Sequence, residues 1–63
     1  MTQKELLYVE DAIGHETSII EILNESLELL DDEKLITFVE EEIEKHNDLK
    51  QGLINLLEDE INE

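Results

Sequence analysis

Sixty-three residues suffice for one small domain, spanning 1–63, whose core is marginal without a metal, disulfides or a partner chain. There is no cysteine, which excludes disulfides and thiolate metal centres. Nineteen Asp and Glu against four Lys give a formal net charge of −15, which repels nucleic acid and anionic membranes and favours cations or a basic protein partner.

The first predicted element is a helix over about residues 3–30. Thr2, followed three residues later by Glu5, is a capping-box pattern. Leu6, Ile13, Ile20 and Leu27 then recur at one heptad position, and Val9, Glu16, Leu23 and Leu30 at a second. Glu16 is the single polar residue in that seam. A flanking line of Tyr8, His15, Ile22 and Leu29, with Ala12 and Ile19 between, widens the apolar arc to roughly 200° at 100° per residue. One partner helix cannot cover so wide an arc. These six residues are therefore the expected interface with a second copy of the chain. Gly14 costs a helix interior about 1 kcal/mol relative to Ala, which suggests a bend or the close approach of another backbone.

Residues 30–35 read as a break and restart. Asp31 is the expected N-cap, with Leu30 and Leu35 as a hydrophobic staple. So short a connection makes antiparallel neighbours. The second helix, over about residues 32–60, carries Leu35, Ile36, Val39, Ile43, Leu49, Leu53, Leu56 and Leu57 on one face, with Phe38 at its edge. Glu41 and Lys45 are spaced for an ion pair one turn apart on its outer side. The absence of proline and the Leu- and Ile-rich composition agree with an all-α chain.

In an antiparallel hairpin, residues equidistant from the turn share a height. Glu16 and His46 each lie fifteen residues from Asp31, so they should face each other in mid-seam, with Glu42 one turn away. One reading is a Glu–His core pair that fixes register, joined by Lys50. The other is a metal site of Glu16, Glu42 and His46, doubled about a twofold axis and suited to iron, manganese or zinc. The spacing from Glu42 to His46 is one residue longer than the Glu-x-x-His of di-iron bundles, and Ile43 holds the expected carboxylate position. His15, one turn after Asp11, reads as a half-buried histidine at the dimer edge, held by Asp11. A ligand reaching across from the second chain is the alternative. No Ser–His–acid pattern, glycine-rich phosphate loop or basic patch is present, so no catalytic residue is expected.

Residues 6–16, Leu-Leu-Tyr-Val-Glu-Asp-Ala-Ile-Gly-His-Glu, together with Phe38-Val39-Glu40 and Lys45-His46, resemble the small spore-coat-F-like proteins of clostridia and their relatives. The likeness covers most of both helices. It implies a hairpin that doubles into a ferritin-like four-helix bundle, and an association with sporulation or the spore coat. From this follow the expectations of a non-enzymatic structural or interaction protein, homodimeric and without a resident cofactor. A metal-binding miniature bundle and an acidic regulator that covers a partner's basic surface are the alternatives. The longest apolar run, residues 6–9, is too short to cross a bilayer, and residues 2–5 do not read as the start of a secretion signal. A cytoplasmic chain with no membrane insertion is expected, and the resemblance implies association with the spore.

Overall fold

The computed structural model describes residues 1–61 as two α-helices, α1 (Gln3–Leu27) and α2 (Glu33–Ile61), folded back on each other as a hairpin. α1 starts where the capping box placed it. Thr2 is extended, its hydroxyl accepts from the Glu5 amide at 3.1 Å, and its own amide donates to the Glu5 carboxylate at 2.7 Å. That second bond holds the Glu5 carboxyl below its usual range, with a smaller contribution of the same sign from the Thr2 side chain.

The turn differs from expectation by a few residues. α1 ends at Leu27 rather than near residue 30, and its last amides close tighter bonds: Glu28 donates to the Glu25 carbonyl at 3.2 Å and Leu29 to that of Ser26 at 3.0 Å. The cap of α2 is Asp32, not Asp31. Its carboxylate accepts from the amides of Lys34 and Leu35 at 2.9 and 3.0 Å, and its carbonyl takes the Ile36 amide at 2.9 Å. With the cap moved on by one, the staple positions become Asp31 and Ile36, so Leu30 and Leu35 no longer occupy them. Reversing the chain without glycine or positive φ uses up residues 28–32, and that requirement unwinds the end of α1. At the open end the N-terminal amine of Met1 is paired with the Glu60 carboxylate.

The face of α2 also divides. Ile36, Val39, Ile43, Leu53, Ile54 and Leu57 are half-buried against α1. Leu35, Phe38, Leu49 and Leu56 lie beside that seam and remain 51–58% exposed. α1 divides in the same way: Leu6, Val9, Ile13, Ile20, Leu23 and Leu27 form its side of the seam, and Tyr8 and Ile22 lie beside it, 61% and 60% exposed.

The two helices are near copies of one pattern at an offset of thirty residues. Lys4, Val9, Glu10, Ile13, Leu23 and Leu27 recur as Lys34, Val39, Glu40, Ile43, Leu53 and Leu57, and Tyr8 recurs as Phe38. Half-buried and exposed positions follow almost the same order along both. Two right-handed helices running antiparallel are related by a local twofold axis normal to the plane of the hairpin, and this offset is the one that superposes their seams.

The seam is thin. Among the described residues none is buried. The hairpin measures 47 × 15 × 12 Å, and its radius of gyration is 14.6 Å, against about 10.6 Å for a compact domain of this length. It exposes 4981 Å², whereas a compact monomer of 7.4 kDa exposes about 4200 Å².

Candidate functional site

Three titratable side chains meet at mid-height of the seam. Glu16 projects from the middle of α1 and His46 from the middle of α2, and His46 donates from Nδ1 to Glu16 Oε2. The carboxylate of Glu16 is acceptor-only when ionised, so the proton of this contact sits on Nδ1. On the other side of the ring, Nε2 lies 4.0 Å from Glu42 Oε2, one turn earlier on α2. Glu42 also receives Lys45 Nζ at 3.4 Å, so Lys45 pairs with Glu42 and not with Glu41. The side chains of Glu16, His46 and Glu42 are 12%, 27% and 28% exposed, so none leaves water entirely.

The hairpin's symmetry explains why these residues meet. At an offset of thirty, Glu16 and His46 occupy equivalent places on the two helices. They are also at equal distance from the turn, which puts them on the local twofold axis, where an equivalent pair must face itself. Two carboxylates there would repel each other. A carboxylate and an imidazole form a hydrogen bond.

The arrangement brings together all three candidate metal ligands, Glu16, Glu42 and His46. The two carboxylates, however, address opposite nitrogens of one imidazole. Within a single hairpin they flank the ring and do not converge on one point. Among the described residues no group of three or more His, Cys, Asp or Glu side chains is placed to hold a metal ion. No ligand-sized pocket opens beside the site.

Of the expected interface residues, Ala12 and Ile19 are half-buried at the margin of the seam, while Tyr8, His15 and Ile22 are exposed. Leu29 is 84% exposed and lies in the connection beyond α1, outside the helical stripe. Asp11 does not hold His15: among the described residues the His15 side chain has no hydrogen-bond or ion-pair partner. Lys50 is half-buried on the seam but makes no hydrogen bond to Glu16 or His46. Nothing crowds Gly14, since a Cβ built there meets no atom within 4 Å, and Gly52 is equally open. Neither glycine serves a close approach within the hairpin.

Phe38, Leu49 and Leu56, expected on the face and edge of the second helix, instead form the second half of an exposed apolar stripe. Comparing the chain with itself at a shift of thirty would have found two of its three members, because Phe38 and Leu49 fall where Tyr8 and Ile19 do, while Leu56 falls at Ser26. No helix among the described residues is long and apolar enough to cross a membrane. Comparison with protein-family models, with curated proteins and with solved structures gives no match, so no family is assigned to the chain.

Proposed function

We propose that this protein is a non-enzymatic interaction component, a helical hairpin that completes its core by associating with another chain. One observation carries the proposal: no described residue is buried, while large apolar side chains such as Leu7, Tyr8, Ile22, Phe38, Leu49 and Leu56 stand more than half exposed. A hairpin with so little core is marginal by itself. Pairing with a second hairpin as a four-helix bundle supplies the missing layer. The resemblance to the spore-coat-F-like proteins extends the proposal to a structural part in sporulation.

The test is the molar mass of the native protein by size exclusion with light scattering, together with elemental analysis of the same peak. An associated, metal-free species supports the interaction reading. A folded monomer at micromolar concentration overturns pairing with a second copy and leaves the exposed side as a docking face for a different chain.

A metal-binding bundle is the second reading, favoured by the gathering of Glu16, Glu42 and His46 at one height. Binding would require His46 to release Glu16 from Nδ1, or a carboxylate from another chain to reach Nε2. Stoichiometric iron, manganese or zinc that is lost in His46→Ala would establish it.

A further inference from the structure

We infer that one side of the hairpin, lined by Tyr8 and Ile22 of α1 and by Phe38, Leu49 and Leu56 of α2, docks against the same side of a second copy of this chain. The inference rests on the interaction reading above and assigns its surface and its partner. It follows from the local twofold axis. That axis is normal to the hairpin plane, so a stripe at equivalent positions on α1 and α2 emerges on the same side of the molecule. Tyr8 and Phe38 are such equivalents, as are Ile19 and Leu49. Two stripes that look like separate edges on the sequence therefore lie on one side of the hairpin.

Charge identifies the occupant. At 100° per residue, Glu10 and Glu21 of α1 and Glu40, Glu44 and Glu58 of α2 all fall on the opposite side. The apolar side carries fewer acids than the opposite one: Glu42 is compensated by Lys45 and Glu60 by the N-terminal amine, and Asp11, Glu41 and Asp59 fall at its outer margin. Lys4, Lys34 and Lys45 fall on this side's margins. A basic partner would choose the acidic side. The less acidic side is the one on which two chains of −15 can meet with most of their acids held outward.

Area agrees with this. The hairpin's 4981 Å² exceeds the compact-monomer expectation by about 800 Å², one partner's share of a standard interface. Facing sides of two hairpins would bury an area of this order and give the seam a second layer.

Two measurements test the surface. The first is sedimentation equilibrium of Ile22→Glu/Leu49→Glu beside a far-side control, Glu21→Gln/Glu44→Gln. Burying four unpaired carboxylates per dimer weakens self-association by about a hundredfold or more, and the control leaves it unchanged or slightly tighter. If the Ile22→Glu/Leu49→Glu variant dimerises like the native chain, the assigned side is wrong even though the protein associates.

The second measurement does not depend on that variant folding. The chain has no cysteine, so single thiols report cleanly. In the otherwise native dimer, thiols at Ile22→Cys and Leu49→Cys react slowly with a maleimide at high protein concentration and faster on dilution. Thiols at Glu21→Cys and Glu44→Cys react fast at both. Equal, concentration-independent rates at all four positions overturn the inference, as does a native mass other than twice that of the chain. Protection of Ile22→Cys that appears only on adding polylysine gives the surface to a basic partner and also overturns it.

Discussion

At the scale of single residues, the Glu16–His46 contact is the point of highest consequence. Truncating one partner leaves the other half-buried and unsatisfied, whereas replacing both with apolar residues of similar size removes the desolvation cost altogether. His46→Ala should therefore destabilise the fold by about 2–3 kcal/mol, and Glu16→Leu/His46→Leu should be at least as stable as the native chain. Urea denaturation at one fixed protein concentration measures both. A double variant as unstable as His46→Ala would show that the pair contributes more than its own satisfaction. Glu5 supplies a second prediction. Its folded pKa is lowered, so its capping contribution is complete above the unfolded value and is lost as pH falls through the lowered one. The stability gap between the native chain and Glu5→Gln should close across that acid range and stay constant from pH 6 upward. A gap that widens on acidification would contradict the sign.

At the scale of elements, the helices were legible because two independent signals agreed: the heptad recurrence of Leu and Ile, and the Thr2–Glu5 box. The meeting of Glu16 with His46 was legible because it depends only on the centre of the turn, which both readings of the cap place within one residue. The cap itself was not. Asp31 and Asp32 are adjacent and chemically identical, and only the number of residues needed to reverse the chain decides between them. Asp32→Ala should cost about 1 kcal/mol, and Asp31→Ala a few tenths at most. Thermal melts of the two variants check the assignment, and an equal loss in both would refute it. The role suggested for Gly14 was also beyond the sequence, since a glycine that admits a neighbouring backbone and one that merely sits on an open surface are the same letter. The structure shows the open surface.

At the scale of the molecule, a net charge of −15 on so slender a body sets like charges close together along both helices. Monovalent salt should therefore raise the melting temperature steadily between about 10 and 300 mM, as the Debye length falls from roughly 30 Å to below 8 Å. A flat response would mean that the acids are already compensated. The wide apolar arc of α1 was legible in the sequence, but not the fact that α2 carries its matching half. Helical periodicity describes one element at a time. The handedness that brings two elements' stripes to the same side appears only when their packing is known.

The thirty-residue likeness of the helices has a consequence for topology. Because α1 and α2 present nearly the same seam, each can serve as template for the other from a neighbouring molecule as well as from its own. The connection at 28–32 decides whether that pairing closes within one molecule, where effective concentration favours it. Opened into a longer rod, two chains could clasp reciprocally and recreate every seam contact, including Glu16 with His46, between different molecules. Such a reciprocal clasp would give an acidic hairpin a route to larger assemblies with no new kind of contact.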